Sequence, residues 1–145
     1  MERRLLVMVW VNNFEGVGLS GSAVEIDNVT LKSGSSTLKS GLLGANKTVN
    51  GYAGCSAAFV ATITNCTIEK GVVIGYDKNQ RQIGAIAGRM QGTIKNCVSY
   101  ADVYGTDYVG GIIGTRDNAM GTCEVIGSEF YGTVTASGAA CRRYC

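Results

Sequence analysis

The sequence predicts an all-β chain wound as a parallel β-solenoid, and three observations predict it. A block of the form Ile-x-Asn recurs along the chain. Short alternating runs are bounded by Gly, Asn or Asp. Helix caps and a 3.6-residue apolar period are almost absent.

The recurrence is sharpest where Ile63-Thr64-Asn65-Cys66 lies over Ile94-Lys95-Asn96-Cys97 at a shift of 31 residues. A third copy is Ile26-Asp27-Asn28-Val29, and a degenerate fourth is Val125-Ile126-Gly127-Ser128. A second element lies between these blocks. Val109-Gly110-Gly111-Ile112-Ile113-Gly114 matches Ile83-Gly84-Ala85-Ile86-Ala87-Gly88, with weaker copies over 39–44 and 16–21. Their final glycines, Gly21, Gly44, Gly88 and Gly114, are separated by 23, 44 and 26 residues. The expected unit is therefore about 23–26 residues, with one larger inserted loop over 45–60. Such a unit cannot bury both of its faces alone and must stack on its neighbours.

Stacking assigns the residues. Ile26, Ile63, Ile94 and Val125 form one inward column, and Val29, Cys66, Cys97 and Ser128 the next. Asn28, Asn65 and Asn96 form a corner ladder, because Asn tolerates left-handed backbone and carries both donors and an acceptor. Gly21, Gly44, Gly88 and Gly114 are expected to turn the chain and admit close backbone approach. Asn28, Asn46 and Asn65 also begin glycosylation acceptor patterns, which burial of the corner Asn would disfavour. Cys66 and Cys97 are read as reduced core thiols; their stacked positions also fall within disulfide range.

The 145 residues make a single domain, with a repeat region over 16–138 and an irregular tail over 139–145. Residues 5–11 are read as a first strand, the other reading being a signal remnant. The unfinished pattern at 139–145 leads to the expectation of a fragment of a longer protein, or of coil ends covered by self-association.

The chain has no His and no Pro, 46% apolar residues, 17% charged residues and a net charge of +2. Without His there is no Ser–His–Asp hydrolysis and no histidine zinc site, and the charge provides no field for nucleic acid. No metal, no cofactor and no membrane-spanning segment are expected. The carboxylates are scattered, so the pair that a glycosidase needs is not evident. Thr62-x-Thr64 is an ice-binding type of pattern, but Asp27 and Lys95 interrupt its column. Binding is expected instead at the Tyr group, Tyr76, Tyr100, Tyr104, Tyr108 and Tyr131, since flat aromatic rings contact sugars and proteins well.

Gly110-Gly111-Ile112-Ile113-Gly114, with Gly92-Thr93-Ile94-Lys95-Asn96-Cys97 and Ala101-Asp102-Val103-Tyr104-Gly105, resembles the GLUG-motif repeat of bacterial surface and secreted proteins. The resemblance covers roughly 16–138 and is closest over 82–114. It implies a right-handed parallel β-helix, of about four to five coils for this length. It implies no catalytic residue. The expected role is a non-enzymatic structural or adhesive segment at the cell surface or in secreted form. Such a segment extends a stalk or presents a face to a glycan or a surface protein. The alternatives are a carbohydrate-active β-helix, lyase- or hydrolase-like, and a self-assembling filament subunit.

Overall fold

A computed structural model describes residues 24–34, 38, 41–43, 60–75, 81–116, 123–138 and 141–142. These residues are all-β, with parallel strands in stacked sheets. In chain order, the first row holds β1 (Val24–Asp27) and β2 (Thr30–Leu31). The second holds β3 (Val60–Thr64), β4 (Thr67–Ile68), β5 (Val73–Ile74) and β6 (Ile83–Gly84). The long β7 (Ala87–Lys95) leads into the third row, β8 (Val98–Ser99), β9 (Asp102–Gly105), β10 (Val109–Gly110) and β11 (Ile113–Arg116). The fourth holds β12 (Cys123–Ile126), β13 (Glu129–Phe130), β14 (Val134–Ala136) and β15 (Cys141–Arg142).

Among the described residues every pairing is parallel, and the rows visit the sheets in the same sequence. β1, β3, β7 and β12 place Ile26, Ile63, Ile94 and Val125 opposite one another. β2, β4, β8 and β13 align Leu31, Ile68, Ser99 and Phe130. β5, β9 and β14 align Ile74, Val103 and Val134. β6, β10 and β15 align Ile83, Val109 and Cys141. The first half of β7 pairs with β11 instead, through Ala87 opposite Ile113. Gly92, at φ +110°, lies where β7 changes from that pairing to the β3–β12 ladder.

Between β1 and β2, and at the same point in each later row, the backbone turns through a left-handed residue. Asn28, Asn65, Asn96 and Gly127 have φ of 55°, 54°, 53° and 55°. The corner keeps its hydrogen bonds. Asn28 N–H donates to Thr64 O, Asn65 N–H to Lys95 O and Asn96 N–H to Ile126 O, each at 3.0 Å. The three Asn thus stack as expected, but their side chains are exposed rather than buried. Their amides do not chain together either: Asn65 Nδ2 donates to Asp27 Oδ1 of the first row at 2.9 Å. Backbone ladders already satisfy the turn, so Asn serves by tolerating the conformation. The exposed corner also removes the burial argument against modification of Asn28 and Asn65.

The core runs along the stack. Ile63, Ile94, Cys66, Cys97, Ile68, Ile74, Ile83, Val103 and Val109 are fully buried, and Ile26 nearly so. Each large aliphatic side chain contributes about 1.5–3 kcal/mol by leaving water. Val125 keeps its place opposite Ile94 but is 42% exposed, against the expectation of a core residue. It belongs to the last described row, and among the described residues no further row packs on its far side.

The spacing differs from the expected unit. Only the returns from Ile83 to Val109 and from Ala87 to Ile113 span 26 residues; the other paired positions lie 29 to 44 apart. The described strands keep their register although the number of residues between paired positions varies. Residues 45–59 of the expected loop, Gly21 and Gly44, and residues 5–11 lie outside the described residues. Gly88 and Gly114 lie within strands β7 and β11 rather than at turns. A Cβ on Gly114 would stand 2.6 Å from Ile83 N and 2.7 Å from Gly88 O, so close packing rather than turning requires glycine there. In the tail, Cys141 and Arg142 form β15 against β10 where an irregular segment was expected, because a parallel edge accepts even two residues in register.

Asn65→Ala is expected to destabilise the chain by about 1–2 kcal/mol, the cost of a left-handed alanine. Asn65→Gly should stay within about 0.5 kcal/mol of the native chain, as Gly127 occupies the equivalent corner. Urea titration of both variants checks this ordering. Gly92→Ala should cost more than about 2 kcal/mol in the same titration. Its Cβ would add strain at positive φ and collide with Ala61 O.

Candidate functional site

The residue that follows each strand of the β2–β4–β8–β13 sheet occupies one position in successive rows: Lys32, Glu69, Tyr100 and Tyr131. Backbone bonds hold the alignment, with Glu69 N–H on Leu31 O at 2.9 Å, Tyr100 N–H on Ile68 O at 2.9 Å and Tyr131 N–H on Ser99 O at 2.8 Å. Adjacent parallel strands are about 4.8 Å apart, so identical side chains at one position must lie nearly parallel. The Tyr100 and Tyr131 rings do so, with centroids 5.3 Å apart and planes at 17°. The spacing suits an offset aromatic pair. Both remain open to solvent, Tyr100 at 42% and Tyr131 at 61%.

The Tyr131 hydroxyl donates to Glu129 Oε2 at 2.6 Å. That bond, and the negative charge of Glu129, hold the phenol above its ordinary pKa. The pair therefore presents stacked rings with a carboxylate at one rim, an arrangement that offers apolar contact and a hydrogen-bond acceptor side by side.

Among the described residues, the structure brings together these two members of the expected Tyr group. Tyr104 is exposed on β9 opposite Thr135, beyond the bend that follows Tyr100. Tyr108 is exposed at a separate left-handed bend, φ 55°, before β10. Tyr76 lies outside the described residues.

Carboxylates prove to be row-to-row ties, a role the sequence reasoning missed. Asp27 Oδ1 accepts from Thr64 Oγ1 at 2.5 Å and from Asn65 Nδ2 at 2.9 Å. The two bonds lower the Asp27 pKa, the Thr64 bond most. Asp102 Oδ1 accepts from Thr133 N–H at 3.2 Å. Asp107 pairs with Arg81, 3.1 Å from its Nε. Asp102 and Asp107, close in sequence, are engaged with different partners. The signal was available: the Asp102 and Asp27 partners lie one row onward in the recurrence.

Among the described residues no group of three or more His, Cys, Asp or Glu could hold a metal ion, and no helix is long and apolar enough to cross a membrane. Comparison with protein-family models, with curated proteins and with solved structures returned no match.

Asp27 has a lowered folded pKa, so its contribution is present above its ordinary value of 3.8 and is lost as pH falls through the folded value. An acid titration followed by NMR should show the Asn65 side-chain amide shifting below about pH 4. Asp27→Asn should abolish that shift. For Tyr131 the sign is opposite: the raised pKa favours the protonated phenol, and this contribution fades as pH rises through the folded value. Glu129→Gln should move the Tyr131 midpoint down toward the ordinary tyrosine range in a tyrosinate absorbance titration.

Proposed function

We propose that this chain is a structural and adhesive segment whose rows are coils of a right-handed parallel β-helix. In this reading it belongs to a bacterial cell-surface or secreted protein of the GLUG-like repeat type and has no catalytic role. It extends a stalk and presents the Tyr100–Tyr131 stack to a glycan or a surface protein. The observation that carries the reading is the use of polar side chains. Asp27, Asp102 and Asp107 each spend acceptors on a residue in an adjacent row. Groups held in this way make the rows cohere and are not free for proton transfer to a substrate.

Support for the repeat assignment comes from the in-register ladders and from the left-handed corner repeated at Asn28, Asn65, Asn96 and Gly127. Support for binding comes from the paired exposed rings beside Glu129. A stack of aromatic faces is rigid, so it loses little conformational entropy on contact.

A screen of immobilised glycans and surface proteins tests the reading. Binding by the native chain should fall at least tenfold in Tyr131→Ala, while far-ultraviolet circular dichroism stays unchanged. Incubation with polysaccharides should release no reducing or unsaturated ends. Release of either product by the native chain would replace this reading with the carbohydrate-active alternative.

A further inference from the structure

Cys66 and Cys97 occupy one position in neighbouring rows. The residues around them fix this: Thr64 pairs with Lys95 on one side, and Thr67 pairs with Val98 on the other. Val98 N–H donates to Cys66 O at 2.9 Å, which locks the intervening step. Neighbouring parallel strands are about 4.8 Å apart, inside the Cα separation of roughly 4.4–6.8 Å that a disulfide spans. Both residues are fully buried and both are free thiols. Each sulfur donates to the carbonyl two residues before it, Cys66 Sγ to Thr64 O at 3.1 Å and Cys97 Sγ to Lys95 O at 3.4 Å.

We propose that Cys66 and Cys97 are a redox pair, closing a disulfide between the second and third rows when the protein meets a small-molecule disulfide oxidant. The Cys97 thiolate attacks one sulfur of the oxidant, breaks its S–S bond and releases one thiolate. A mixed disulfide remains on Cys97. Cys66 then gives up its proton and attacks Cys97 Sγ, expelling the second thiol. Two protein thiols are oxidised and one oxidant disulfide is reduced to two thiols.

The order of attack has a physical basis. The interaction between the two thiols, and burial, push the Cys66 thiol up, whereas the same interaction lowers Cys97. Cys97 is therefore the first of the pair to ionise. It is also the one beside the last described row: its N–H donates to Ser128 Oγ at 3.1 Å. That row is the least buried, with Glu124, Val125, Ile126 and Gly127 all exposed. Its local opening is the route by which oxidant reaches Cys97, since low-burial segments open most easily. Ser128 stands at the same position one row on, so serine is compatible with the column.

The full chain is incubated folded with glutathione disulfide, quenched in acid, alkylated and digested for mass spectrometry. A Cys66–Cys97 linked peptide is expected in the oxidised sample and absent from the reduced one. Cys66→Ser and Cys97→Ser should each remove it. Oxidised native chain should also show at least tenfold slower amide exchange in β3, β4, β7 and β8. In urea the same oxidant should scatter cross-links among all six cysteines. That comparison on the native chain stands even if a serine variant fails to fold. Alkylation of both Cys66 and Cys97 in the oxidised folded chain would overturn the proposal. So would a folded cross-link pattern as scattered as that in urea.

Discussion

The in-register parallel ladder around a left-handed corner is the constraint on which the other features depend. A residue at φ near 55° reverses which way the next strand's side chains face, so a shift of one position would put Ile63 and Ile94 outside. Four rows place that residue at the same point, and the backbone N–H of each Asn is bound by the next row. The corner therefore holds the inward columns in line, and the columns bury the aliphatic side chains.

Close stacking makes each position a column with a shared environment. Within the core the column after the corner brings two thiols face to face, Cys66 and Cys97, with Ser128 beyond. On the outer wall the column after the second sheet brings two rings face to face, Tyr100 and Tyr131. The geometry is the same in both cases; solvent decides the chemistry. Burial couples the thiols to each other and to backbone carbonyls, whereas exposure leaves the rings available for contact.

The polar residues at the surface add cohesion along the stack. Asp27, Asp102 and Asp107 each reach a partner in an adjacent row. Exposed contacts of this kind are worth little singly, and their value here is in holding register. Glycine at Gly114 acts by omission, because a side chain there would collide with neighbouring backbone.

By itself the sequence determined the β class, the corner at Asn28, Asn65 and Asn96, and the inward columns of Ile and Cys. Those features repeat, and a repeated local pattern is visible without knowing what it packs against. The spacing between returns was less legible, because strand register is kept while the number of residues between paired strands varies. Exposure of Val125 and of the corner Asn side chains was decided by the tertiary structure, since burial depends on what lies beyond a row. The choice of Tyr100 and Tyr131 from the Tyr group was decided there too. Tyr100 and Tyr104 are close in sequence, but the chain bends between them, while Tyr131 is brought to Tyr100 by the hydrogen bonds between rows.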